Sequence, residues 1–283
     1  MKHINKIITA LLLTALLVVA VPLTTSAATP SAPADTPGRS MIISTEDGYF
    51  YGYHYNSLTY VPLYIFADTF GGCIYGWSFK DGVAYAKADG LYLTAAPGDL
   101  YIIANERCFY TEQPVMDVNG TVYVPVSPMA RAFGVDIEIA SYNEINLWGT
   151  GRDYCAHADD VYVSDELYWL SRIISAEAGG EPFRGQMAVG NVVINRMNHP
   201  SYPNTIYGVI FDRKYGTQFT PAANGTVYRT PTESAVLAAK ACLDGYTLSE
   251  DMLFFLNPRI ATNFWIVRSC APIMSIGNHD FYG

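Results

Sequence analysis

Glu177 is a carboxylate at a position where an amphipathic helix should carry an apolar side chain. With residues 164–178 read as a helix at about 100° per residue, Leu167, Leu170, Ile173 and Ile174 form one apolar stripe, and Glu177 projects within roughly 20° of Leu170. Burial disfavours the charged form of a carboxyl group and raises its pKa, so such a side chain can hold a proton near neutral pH and give it to a leaving group. That is the chemistry of a general acid. The plainer alternative is a glutamate at a helix end that reaches water or pairs with an arginine. Glu181 is the other carboxylate nearby. It stands beside Pro182, where it can cap backbone N–H groups or favour the positive end of the next helix. Because a Gly179-Gly180 break separates it from Glu177, it need not share that face; if it does reach the same cleft, it could support hydrolysis by water.

Three helices are expected to position these groups. The first opens at Ser164 as N-cap, with Asp165 and Glu166 in the first turn where acids favour the dipole, and stops at Gly179-Gly180. The second starts with Pro182 and carries Val189, Val192, Val193 and Arg196 to about Met197. The third runs from Pro231 through Ala235, Ala238, Ala239 and Cys242 to Gly245. Short aromatic-rich loops and strands make up the remainder.

Around Glu177 the chain reads Ala176-Glu177-Ala178-Gly179-Gly180-Glu181-Pro182, followed by Gly185-Gln186-Met187-Ala188-Val189 and Val193-Ile194-Asn195-Arg196. Later blocks are Tyr202-Pro203-Asn204-Thr205-Ile206, Gln218-Phe219-Thr220-Pro221, Phe254-Phe255-Leu256-Asn257-Pro258 and Ile276-Gly277-Asn278-His279-Asp280-Phe281-Tyr282. In this order they resemble the spore cortex-lytic and cell wall hydrolase family (SleB/CwlJ type) over residues 165–283. The resemblance implies a mainly α, lysozyme-like fold of the lytic-transglycosylase type that cleaves the β-1,4 bond between N-acetylmuramic acid and N-acetylglucosamine in peptidoglycan. It places the single catalytic glutamate at Glu177, in agreement with the helical-wheel argument. Glycoside cleavage ordinarily takes two carboxylates. A lytic transglycosylase needs one, since the muramic acid C6 hydroxyl attacks C1 and leaves a 1,6-anhydro product.

Further site residues follow from the same blocks. Gln218, Phe219 and Thr220 are candidates for the cleft wall, with Phe219 either a sugar platform or a core anchor. His279 either hydrogen-bonds a sugar or holds the C-terminal segment against the fold. Arg196 either pairs with a structural carboxylate or touches substrate, and Asn257-Pro258 shapes a turn.

The preceding stretch contains an internal repeat. Tyr60-Val61-Pro62-Leu63 with Ala67, Phe70 and Gly71 recurs as Tyr123-Val124-Pro125-Val126 with Ala130, Phe133 and Gly134. Each copy reads as a strand end, a proline opening a short helix and a glycine closing it. Strand-like alternations lie between and after them, and Asp81-Gly82, Asp89-Gly90 and Asn119-Gly120 supply turns. The expected fold is therefore two-domain: an α+β repeat-containing module over 41–150, a polar junction over 151–164, and the helical catalytic domain over 165–283. The repeat resembles the copper amine oxidase N-terminal-like (stalk) domain, which implies an accessory module without catalytic copper. That half has one histidine, His54, and no cluster of metal ligands, so neither metal nor cofactor is expected.

Composition sets the surroundings. Lys2 and Lys6, the apolar run Ile7–Val21 and the small residues Thr25-Ser26-Ala27 form a secretory signal pattern with cleavage expected after Ala27. An uncleaved segment would be a membrane anchor. Residues 28–40, rich in Pro, Thr, Ser and Ala, read as an exposed tether. Without the signal, 15 basic residues stand against 26 acidic ones, a net charge of −11 that makes nucleic acid an unlikely partner. The 22 tyrosines suit either carbohydrate-binding surfaces or the strands of an extracellular β domain. Five cysteines in an exported chain allow disulfides with at least one left free; Cys73 with Cys108 and Cys242 with Cys270 are the pairings that respect the domain split, and sequence alone does not fix the connectivity. The expected product is a secreted protein of the cell wall or spore envelope acting on peptidoglycan glycan strands. A hydrolytic muramidase and a non-catalytic wall-binding protein are the alternatives. A cysteine peptidase is disfavoured because no cysteine lies at a helix N-terminus next to a histidine.

Overall fold

A computed structural model describes residues 38–149, 153–214 and 216–283. The signal pattern and most of the tether lie outside the described residues. The first half is β-rich. Strands β1 (Arg39–Thr45), β2 (Gly48–Tyr55) and β3 (Leu58–Pro62) lead into helix α1 (Leu63–Gly71), then β4 (Ile74–Ser78), β5 (Val83–Ala88), β6 (Leu91–Ala95), β7 (Tyr101–Ala104) and β8 (Arg107–Tyr110). β9 (Met116–Val118), β10 (Thr121–Pro125), helix α2 (Val126–Phe133), β11 (Asp136–Ser141) and β12 (Glu144–Trp148) complete it. They form a seven-stranded sheet in the order β11-β12-β1-β2-β3-β10-β9 and a five-stranded sheet in the order β4-β5-β6-β7-β8.

The internal repeat explains the centre of the larger sheet. Its two Tyr-Val-Pro segments are the neighbouring antiparallel strands β3 and β10, with Tyr60 opposite Pro125 and Pro62 opposite Tyr123. Pro62 and Pro125 occupy the N-cap positions of α1 and α2, one residue ahead of the expected first helical position. Gly134 ends α2 in the left-handed region at φ +63°, as the repeat predicts. In the first copy Gly71 is still helical and Gly72 takes the left-handed position. The tyrosines of this sheet are core residues: Tyr53, Tyr60 and Tyr123 are buried, and Tyr53 stacks on Tyr60 with centroids 5.1 Å apart.

The second half is helical. α3 (Ala158–Val161) precedes α4 (Ser164–Ala178) and α5 (Phe183–Asn198); α6 (Ile206–Phe211), α7 (Thr220–Asn224), α8 (Glu233–Leu243), β13 (Phe254–Leu256), α9 (Trp265–Ser269), β14 (Pro272–Ile276) and β15 (His279–Tyr282) follow. α4, α5 and α8 pack on one another, and the last strands form a sheet in the order β13-β15-β14. Gly190 lets the three helices close up, because a Cβ there would lie 2.8 Å from both Ile174 Cδ1 and Cys242 Sγ. The helix over 164–178 spans the expected residues, but Val163 holds the N-cap position without a side-chain bond and Ser164 is the first helical residue. α8 starts at Glu233, where the Thr232 hydroxyl accepts from Ala235 N at 3.2 Å.

Both halves belong to one compact unit. Residues of the junction lie along the N-terminal half: Cys155 N donates to Ala132 O at 3.0 Å and Ala158 N to Asn105 O at 2.9 Å. None of the five cysteines is bridged. The pairings that respect the domain split are not formed: Cys73 lies in the core of the N-terminal half, whereas Cys108 is packed in a different cluster with Cys242, and Cys242 and Cys270 are both free. No helix among the described residues is long and apolar enough to cross a membrane.

Candidate active site

Glu177 lies on the last turn of α4, one turn beyond the fully buried Ile173 and Ile174 and two turns beyond Leu170. Its own side chain is partly buried, and no hydrogen-bond or ionic partner reaches it among the described residues. Burial pushes its pKa up from the ordinary 4.5 to about 7. A helix C-terminus carries partial negative charge, which acts in the same direction. The turn that follows is tightly held. Gly179 N donates to Ser175 O at 3.1 Å and Glu181 N to Ala178 O at 2.9 Å, while Gln186 Nε2 donates to Glu181 O at 3.0 Å. Buried Gln186 also accepts from Ser234 Oγ at 3.1 Å, so α8 is tied to the α4–α5 turn.

Glu181 uses its carboxylate elsewhere. Oε2 accepts from Asn278 N and Oε1 from Asn278 Nδ2, both at 2.9 Å. Partial burial opposes ionisation, but the two Asn278 bonds and the nearby His279 outweigh it and hold the Glu181 carboxyl below the usual range. Gly277 completes this clamp: at φ +59° a Cβ would collide with Glu181 Oε2. The clamp joins the α4–α5 turn to the β14–β15 hairpin.

Residues 180–282 match the family model described as Cell Wall Hydrolase, and residues 49–145 match that of the Copper amine oxidase N-terminal domain. Over residues 180–282 the chain is thus similar to cell wall hydrolases. Similar proteins include spore cortex-lytic enzymes of Bacillus subtilis, 37% identical over 120 residues (42% of this chain, 38% of the relative), and of Oceanobacillus iheyensis, 33% identical over 132 residues (47% and 46%). The catalytic domain of the germination-specific lytic transglycosylase SleB from Bacillus anthracis is 34% identical, covering 43% of this chain and 97% of that one, with a TM-score of 0.39. The chain thus spans less than half the length of these curated relatives. The family model begins at Gly180, three residues after Glu177.

The other expected site residues divide sharply. Phe219 offers no platform: it is 2% exposed and packed in the helical core, 6.3 Å from the Phe255 ring. Gln218 is partly exposed; its Oε1 accepts from Arg196 at 3.5 Å and its Nε2 donates to Gly216 O at 3.3 Å. Thr220 is exposed at the start of α7. His279 is buried edge-on between Phe255 and Phe281, with centroids 5.3 and 6.2 Å away, and its Nδ1 has no partner. Burial lowers its pKa against the pull of Glu181 and Asp280. Arg196 makes no ion pair with a carboxylate among the described residues. It is 5% exposed, donates from Nε to Leu253 O at 2.7 Å, and lies over the rings of Tyr202, Phe219 and Phe254.

Aromatic surface stands elsewhere. Trp169 on α4 meets Tyr207, Phe211 and Tyr228 at centroid distances of 5.2, 5.3 and 5.9 Å, and Tyr207 and Tyr228 are about half exposed (49% and 59%). No sequence motif singled these residues out, because they come from three separate elements. A cavity of about 870 Å³ beside Asn195, His199 and Glu250 does not have Glu177 on its wall.

Proposed function

We propose that this chain is an exported enzyme that cleaves the N-acetylmuramic acid–N-acetylglucosamine β-1,4 bond of peptidoglycan as a lytic transglycosylase, with a lysozyme-like catalytic domain and Glu177 as its acid and base. One observation carries the reading: a partnerless, partly buried carboxyl group, protonated up to about pH 7, at the end of a rigidly packed helix. The cell wall hydrolase match and the names of the spore cortex-lytic relatives support the substrate class.

The proton of Glu177 passes to the glycosidic oxygen as the C1–O bond breaks, and positive charge develops at C1 of the muramic acid. The resulting carboxylate then takes the proton of the C6 hydroxyl as that oxygen bonds to C1, so the side chain ends as it began. Glu181 is engaged by Asn278 and remains ionised, which supports a one-carboxylate route over a hydrolysis in which it activates water. Trp169 precedes Glu177 on α4 by eight residues, about 12 Å of helix rise, and the exposed rings around it suit the sugar faces of a glycan strand.

Mass spectrometry of muropeptides released from purified vegetative wall and spore cortex tests the reading. Anhydromuramyl ends that disappear in Glu177→Gln are expected. Reducing ends would establish hydrolysis instead, and no cleavage of either polymer would leave a wall-binding protein.

A further inference from the structure

We infer that the β-rich N-terminal module is a docked structural component of the catalytic module, bound through a dedicated surface on β7 and β8 whose partner is the face formed by α5, α8 and the Asp244 corner. The geometry of β8 is the first argument. Its residues alternate between two cores: Phe109 belongs to the core of the N-terminal half, while Cys108, 0% exposed, and Tyr110 belong to the cluster built by α4, α5 and α8. A strand with both faces buried by different modules is a shared wall. Phe183, the first residue of α5, packs against it, 4.9 Å from the Tyr101 ring and 6.3 Å from Tyr110. The N-terminal module therefore braces the helix that follows the Glu177 turn.

Charge is the second argument. Asp244 sits at the C-cap of α8, where the helix dipole disfavours an anion, and its side chain is fully buried. Its partners come from outside the catalytic helices. Arg107 on β8 donates from Nε at 3.0 Å and makes an ion pair through its terminal nitrogen; the Tyr162 hydroxyl donates to the other carboxylate oxygen; Arg131 on α2 donates to the Asp244 carbonyl at 3.0 Å. Arg131 also lies 4.6 Å over the Tyr246 ring, and Lys240 Nζ donates to Glu106 O at 2.7 Å. A buried carboxylate at the wrong end of a helix is tolerable only while the cations of the other module cover it.

The full chain tests this without reference to its activity. Calorimetry should show one cooperative transition, and Arg107→Ala should lower its midpoint by about 6–20 °C, because a buried charge loses its partner. Arg107→Ala and Asp244→Ala together should be clearly non-additive, since each removes the same pair. The milder Lys240→Ala should speed amide exchange in β7 and β8, on the module it does not belong to. As an independent check, a protease site is introduced between Gly149 and Asp153 and the native protein is treated with that protease; after cleavage the two pieces should still co-elute on size exclusion. Two separate transitions in the unaltered chain, additive effects, or pieces that separate after cutting would each overturn the inference.

Discussion

Glu177 is costly to keep where it is. A carboxyl group whose folded pKa is about 7 against an ordinary 4.5 binds a proton more tightly in the folded chain, so stability falls as pH rises from about 4.5 through about 7. Glu177→Gln should therefore leave stability at pH 4 unchanged and raise it above pH 7 by up to about 3 kcal/mol, read from urea unfolding at the two pH values. The same variant should lose about 10²–10⁴-fold in cleavage rate, and kcat/KM of the unaltered protein should decline above an apparent pKa near 7. Helical periodicity alone puts Glu177 on the apolar face of its helix, since every third or fourth residue around it is apolar, and there the side chain is partly buried. Phe219 had no such guide. Gln-Phe-Thr-Pro reads the same in a cleft wall as in a core anchor, and only packing against Phe255 and Arg196 decides it. Phe219→Ala should accordingly cost about 3–5 kcal/mol in denaturant unfolding, as for a core aromatic.

Helices were found in the sequence because their apolar periods are long, and the turn between α4 and α5 because Gly-Gly and Pro bound it. What that turn holds was not visible. Glu181 and Asn278 are 97 positions apart, and Gln186 and Ser234 are 48 apart, so neither bond leaves a local pattern. A buried glutamine within an apolar helix was nevertheless a signal of such a tie. Cutting the Glu181 clamp should loosen the β14–β15 hairpin against the α4–α5 turn. Glu181→Ala should cost about 1–3 kcal/mol at pH 7, and Gly277→Ala a similar amount, with much less than additive loss in the double variant. Because the folded carboxyl of Glu181 is held below its ordinary range, its stabilisation is present above about pH 4.5 and fades as pH falls through the lower folded value. A loss that persisted undiminished at pH 3 would assign the clamp to packing rather than to the charge.

Two sequence modules were evident from composition and from the repeat, yet their joint packing was not, because Arg107 and Asp244 lie 137 positions apart. The cysteines teach the same lesson. Pairings drawn from the domain split put Cys108 with Cys73, while the folded chain packs it in the cluster built by α4, α5 and α8. Burial pushes Cys242 up to about 12 and Cys155 up to about 11. Reductant should therefore leave the thermal midpoint unchanged, and Cys242 should resist alkylation until the chain is denatured, as peptide mapping after iodoacetamide would show.

The span between β8 and Asp244 also has a cost in time. Loop closure over that distance adds little to the equilibrium free energy, since each doubling of length costs about 0.6 kcal/mol. Synthesis at about 5–20 residues per second, however, separates the emergence of β8 from that of α8 by on the order of ten seconds. Through that interval Cys108 and Tyr110 have no helices to cover them. The nascent chain carries an open thiol and an apolar strand edge until nearly its whole length exists, and it is then that a holding chaperone or a reducing environment would matter most.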